Sequence, residues 1–214
     1  MVWFQLRLII ISCLLVYIFG SSFTSACSTA WFLGPSAPSD FLFPLTAVVN
    51  DSIYLIPWDY QGPAPLVFQT SSYKWSSISA PPISVQDSKL LSSAAVNGIV
   101  YLFSDPVNPY AVPGSVQTFN PQTNEWSIIL STIQLNCTRV TLIPSVVIST
   151  TIYLLCTDSF LTFDTLTREL KSNPWTPPFE FSEIGSGTTA SAVNDSIKFS
   201  LLIREDNPGL LSKR

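Results

Sequence analysis

The chain contains no histidine among its 214 residues. That removes the commonest general base, the usual activator of a nucleophile and the commonest metal ligand. Charge is also scarce: Asp, Glu, Lys and Arg make up 11% of the residues, against roughly 25% in an ordinary globular chain. The formal net charge is -4, with no long run of either sign. Neither nucleic acid nor an anionic membrane surface is therefore an electrostatically natural partner. No G-x-S-x-G, P-loop or G-x-G-x-x-G stands at a strand-to-helix junction. Helical periodicity is nearly missing too. The only helix-like stretch, "QDSKLLSSAA", is weak and reads as a connection running into a strand.

What is present is bulky and often interrupted. The chain is 47% hydrophobic and carries 17 Pro, 8 Gly, 14 Phe and 6 Trp. That mixture favours short strands and tight turns over long amphipathic helices.

The N-terminus reads as a targeting segment over residues 1–26. One positive charge, Arg7, precedes the apolar run "LIIISCLLVYIF", and "GSSFTSA" then supplies small residues up to Ala26. This order fits a cleaved signal peptide. The apolar run would rise only about 18 Å as a helix, short of the roughly 30 Å hydrocarbon core. An uncleaved membrane anchor is the alternative. Secretion, with a mature chain starting near Cys27, agrees with sequons at Asn50, Asn136 and Asn194, candidate glycan acceptors in such a chain. It also agrees with a bridge between two of the mature cysteines. Cys137 and Cys156 are the closer pair and flank one hairpin, which leaves Cys27 free or paired in trans.

The stretch "FNPQTNEW" (119–126) recurs in outline as "FQTSSYKW" (68–75) and "FDTLTREL" (163–170). Upstream of each lies "AVVNDSIYLI", "AAVNGIVYLF" or "VVISTTIYLL", and a further copy begins at "SAVNDSIKFS". Aligned on Tyr54, Tyr101, Tyr153 and Lys198, the copies are separated by 47, 52 and 45 residues. A repeat of that length marks stacked or circular arrays of one supersecondary unit. Each unit reads as four strands: an apolar strand, a two- or three-residue turn, an Ile-Tyr-aliphatic strand, then two more joined by a polar turn. Asp164, with Thr165 and Thr167, suits an Asx-type turn there, and Pro121 sets φ for a type I turn.

This unit resembles a Kelch repeat, the blade of a β-propeller. The resemblance covers about residues 45–200. It implies an all-β propeller of four-stranded Kelch-like blades, incomplete at three blades plus part of a fourth. The organisation expected is a signal peptide (1–26), an N-terminal segment (27–44), blades (45–203) and a polar tail (204–214). Kelch blades usually carry a Gly-Gly doublet after the second strand. Here the pairs are Pro57-Trp58, Ser104-Asp105 and Thr157-Asp158, so the chain is a divergent member or a cousin. An open array leaves its terminal faces wet. Three remedies stay open: the chain is a truncated product, its open ends associate with another copy, or "WFLGPSAPSDFLF" supplies missing strands.

The resemblance implies an interaction module for a protein or glycan partner. Some propellers related to Kelch resemble galactose oxidase, which holds copper through His and Tyr; a chain without imidazoles cannot. No cofactor, metal or enzymatic activity is expected. The alternatives are a non-catalytic relative of a propeller enzyme, galactose oxidase-like or glycosidase-like, and a truncated gene product. Asp59, Asp105 and Asp158 could act as carboxylates, but Asp at the start of a loop is more often a turn former. The aromatics that recur in register read as packing between blades. Trp58, Tyr60, Asp105, Asn108 and Tyr110 lie instead in the longer loops between second and third strands. They are the candidate binding anchors, because rigid scaffolds present function on such loops.

Overall fold

The computed structural model describes residues 34–41, 44–57, 63–82, 88–106, 114–133, 135, 143–156, 159–174, 188–193 and 196–201. Every regular element among them is a strand. Sheet 1 comprises β1 (Leu45–Val49), β2 (Ser52–Ile56), β3 (Leu66–Gln69) and β4 (Lys74–Ser77). Sheet 2 comprises β5 (Ser88–Val96), β6 (Ile99–Pro106), β7 (Gly114–Asn120) and β8 (Glu125–Ile133). Sheet 3 comprises β9 (Ser145–Ile148), β10 (Thr151–Leu155), β11 (Ser159–Asp164) and β12 (Glu169–Pro174), and a hairpin of β13 (Thr188–Val193) and β14 (Ser196–Leu201) follows. The three four-stranded sheets are antiparallel meanders in sequence order. The weak helical stretch resolves as expected, with its last residues in β5.

The turns explain the regularity. β1 and β2 are joined by Asn50-Asp51, β5 and β6 by Asn97-Gly98, and β9 and β10 by Ser149-Thr150. Asn50, Asn97 and Ser149 have φ of 50°, 50° and 56°, and Gly98 has 79°. Two left-handed residues in succession make Asn97-Gly98 the turn whose twist matches a two-residue hairpin. The third and fourth strands are joined by the loops 70–73, 121–124 and 165–168, each ending on a left-handed residue: Tyr73, Asn124 or Arg168. Asp164 accepts from the Leu166 and Thr167 amides at 2.8 and 3.1 Å, and Asn120 accepts from the Gln122 amide at 2.9 Å. The turn at Asp164 is the Asx turn read from the sequence, and Asn120 makes a second one. The Phe-to-Trp spacing now has a cause: Phe68 and Trp75 are direct partners across the loop, as are Phe119 and Trp126.

The sheets pack face to face through two apolar layers. Between sheets 1 and 2 lie Ala47, Val49, Tyr54 and Val67 against Val100, Leu102 and Phe119. Between sheets 2 and 3 lie Tyr101, Phe103 and Val116 against Ile152, Leu154, Leu161 and Phe163. The repeated aromatics form repeated pairs: Tyr54 meets Phe119 at 5.8 Å and Tyr101 meets Phe163 at 5.9 Å. Edge-inclined pairs at such distances add about 0.5–1.5 kcal/mol each beyond area burial. Tyr54, Tyr101, Phe119 and Phe163 therefore pack unit on unit, as their spacing suggested, whereas Phe68 meets Trp75 and Tyr153 meets Phe160 within one sheet.

The first strands are neighbours in order: β1 beside β5, β5 beside β9, and β9 beside β13. Hydroxyls link them. Ser93 Oγ donates to the Thr46 carbonyl at 2.9 Å, and Ser145 Oγ donates to the Ser93 carbonyl at 2.7 Å. Thr46, Ser93 and Ser145 each stand eight residues before the aligned tyrosine of their unit. The same position in the fourth copy is Ala190, which has no hydroxyl to give.

Candidate functional site

The connections divide into two kinds. On one side are the tight first-to-second and third-to-fourth turns. On the other are the segments 57–65, 107–113 and 156–158, between second and third strands, and 78–87, 134–144 and 175–187, between successive sheets. The candidate anchors were assigned to this second side. Of them, Asp105 is described, whereas Trp58, Tyr60, Asn108 and Tyr110 lie outside the described residues.

Asp105 sits near the end of β6, half-buried. Its carboxylate accepts from the Leu135 amide at 3.2 Å, which ties the end of a second strand to the segment leaving the same sheet. Burial pushes its carboxyl above the ordinary value of 3.8, and the Leu135 N–H pulls partly the other way. Asp105 thus holds two long connections together at their base. At this position the Ser104-Asp105 pair, where a Kelch blade usually carries Gly-Gly, continues β6 and pairs with Leu90 and Lys89. Ser104 Oγ lies 2.8 Å from Ser115 Oγ and accepts from the Ser115 amide at 3.0 Å. Gln117 Nε2 donates to Ser115 Oγ at 3.3 Å. All three side chains are fully buried, so the root of this loop is a satisfied polar network rather than a hinge.

The tight-turn side carries a cleft of about 300 Å³ between sheets 2 and 3. Tyr101, Thr118, Asn120 and Glu125 line it from sheet 2, and Thr165 and Arg168 from the turn of sheet 3. Burial pushes the Tyr101 hydroxyl above its ordinary value, while a hydrogen bond to Thr165 and the charge of Arg168 pull it back. The hydroxyl therefore stays protonated at neutral pH. The cleft can hold a small polar group between donors and one carboxylate. It lies opposite the side on which the loop aromatics were placed, and no pattern in the sequence marked it.

Asn50 occupies a first-to-second turn and is exposed; Asn136 and Asn194 lie outside the described residues. Cys156 is fully buried just after β10 and is disulfide-bonded. Cys137 lies outside the described residues, as do the 1–26 segment and the polar tail. Among the described residues, no helix is long and apolar enough to cross a membrane.

No known protein family matches the chain, and no curated protein matches it. Among solved structures it is similar to YjhT, with 16% identity and a TM-score of 0.43 over 78% of this chain and 73% of that one. It is also similar to the extracellular domain of BT4673 from B. thetaiotaomicron in two structures. One shares 10% identity at a TM-score of 0.39 over 65% of this chain, and the other 11% at 0.40 over 80%. The chain spans 18% and 24% of those two proteins' length. What these comparisons establish is distant likeness to solved structures.

Proposed function

We propose that the chain is a secreted, Kelch-like β-propeller segment that binds a protein or glycan through its long-connection side and performs no catalysis. The observation that carries this reading is the order of the first strands. β1, β5, β9 and β13 stand side by side, and hydroxyls at one repeated position link the first three. Meander sheets that converge on their first strands are the arrangement of propeller blades. The loops on one side are short and closed by hydrogen bonds, whereas those on the other, apart from 156–158, are longer and varied in sequence. Varied loops on a rigid frame are where recognition is usually placed.

The test is binding of the purified secreted chain to an array of extracellular glycans and to a panel of extracellular proteins. The Trp58→Ala, Tyr110→Ala double variant should weaken the strongest interaction by about 30-fold or more, the loss of a typical hot spot. Its far-UV spectrum should be unchanged. Arg168→Ala, in the cleft on the opposite side, should bind as wild type does. Binding that survives the double change and is lost with Arg168→Ala would place recognition in the cleft instead.

A further inference from the structure

Two opposite charges line the cleft between sheets 2 and 3 and do not meet. Glu125 opens β8 on the sheet 2 wall, and Arg168 closes the turn between β11 and β12 on the sheet 3 wall. Among the described residues the ion pair is Lys171–Glu169, and neither Glu125 nor Arg168 takes part in one. The arrangement is confined to this junction. At the matching positions between sheets 1 and 2 stand Lys74, which pairs with Gln69 as Glu125 pairs with Asn120, and Asn124, which ends its turn as Arg168 does. A cation and an amide occupy that place, with no carboxylate beside them.

Arg168 also holds an uncommon backbone position. Its φ is 59°, beside 54° at Tyr73 and 55° at Asn124. Asparagine takes this conformation readily, whereas other side chains adopt it at a cost. For Tyr73 the packing supplies a reason, an edge contact with Phe68 at 6.3 Å between ring centroids. For Arg168 the cleft does. Both walls are fixed. In the sheet 3 turn the Arg168 amide donates to the Asp164 carbonyl at 2.8 Å. The Thr165 amide and hydroxyl both donate to the Thr150 carbonyl, at 3.1 and 2.8 Å. On sheet 2 the Asn120 side-chain oxygen accepts from the Gln122 amide, which leaves its NH2 group as a donor. A ligand entering the cleft meets a turn and a strand already held in place, so less is lost in ordering them.

We propose that this cleft binds a free α-amino acid with an uncharged side chain, its carboxylate on Arg168 and its ammonium on Glu125. A guanidinium presents parallel N–H donors that match a carboxylate, and a carboxylate accepts from an ammonium. A ligand with a single charge would answer one wall only. The volume of about 300 Å³ lies at the small end of ligand sites, which run to roughly 1,000 Å³. It suits one residue rather than a longer peptide. The site lies on the side opposite the connections assigned to the macromolecular partner, so it does not depend on that reading.

Calorimetric titration of the secreted chain with each uncharged proteinogenic α-amino acid tests this. At least one should bind saturably with a Kd below about 1 mM. Its amide, which lacks the carboxylate, and its N-acetyl derivative, which lacks the ammonium, should each bind about tenfold more weakly or worse. Arg168→Gln and Glu125→Gln should weaken the amino acid itself to the same degree. Their far-UV spectra should be unchanged, because both side chains are exposed. Lys74→Gln, at the other junction, should bind as wild type does. If no amino acid binds, the two charges are solvated surface and the proposal is overturned. Binding that both cleft variants leave intact puts the ligand elsewhere and overturns it too. If either variant is not secreted, the derivatives decide with the wild-type chain: equal binding of the amide or the N-acetyl form refutes recognition of a zwitterion.

Discussion

Gly114 is the residue whose replacement should cost most for the smallest chemical change. It opens β7, a central strand, where β6 and β8 approach from both sides. A Cβ built there would fall inside contact distance of the Ser104 carbonyl oxygen. It would also lie 2.8 Å from the Ile133 carbonyl oxygen and 3.2 Å from Asp105 Cα. All three are backbone atoms in paired strands, so no side chain can swing away. Either the ladder opens or the two neighbouring strands move. Glycine-to-alanine changes at unstrained sites gain about 0.4–1 kcal/mol through the unfolded chain. Forcing a methyl into a closed site costs typically about 1–3 kcal/mol, and here the ladder is strained as well. We expect Gly114→Ala to lose about 2–3 kcal/mol net, at the upper end of that range. For a domain of this size that lowers the melting midpoint by roughly 5–10 °C. Circular dichroism melts beside Gly34→Ala, whose Cβ would meet nothing within 4 Å, provide the comparison. A Gly114→Ala protein that melts with the wild type would show that β6, β7 and β8 are not packed as described.

Two further outcomes follow from single residues. Asp105 has a folded pKa above 3.8 because it is desolvated, so its contribution is full below pH 3.8 and is lost as pH rises through the raised value. Asp105→Asn keeps an acceptor for the Leu135 amide without the buried charge. It should melt above the wild type at pH 7 and lose that advantage below pH 3.8; an equal or lower midpoint at pH 7 would contradict the assignment. For Cys156, peptide mapping without reductant should recover it linked to Cys137. A Cys27–Cys156 peptide would instead tie the N-terminus to sheet 3.

Much of the sheet architecture was legible because its causes are local. Asn-Asp, Asn-Gly and Ser-Thr at the hairpins, and the fixed Phe-to-Trp spacing across a four-residue loop, are backbone requirements that leave residue signatures. The Tyr–Phe pairs were legible as packing because both partners recur. What could not be read were contacts whose acceptor is the main chain. The bonds from Trp75, Trp126, Ser93 and Ser145 all end on carbonyls, and every residue has one, so the sequence shows only the donor. Asp105 illustrates the same limit: its partner is the Leu135 amide, thirty positions away, and nothing in the residue types links them. The cleft near Arg168 was hidden because it arises between sheets, from residues of two units that are polar for turn-forming reasons.

The hydroxyl links between first strands also bear on how such a chain can lengthen. Sheet 2 gives one bond to the sheet before it and receives one from the sheet after it, and in both the receiving atom is a carbonyl of the main chain. A unit copied in tandem would carry its own donor and meet a ready acceptor, so a gene duplication needs no second, compensating change on its neighbour. Loss of the hydroxyl, as at Ala190, removes one link without altering any acceptor. The chemistry at this seam therefore favours growth by whole repeats and tolerates the drift of individual ones, consistent with a chain whose repeats keep their spacing while their sequences diverge.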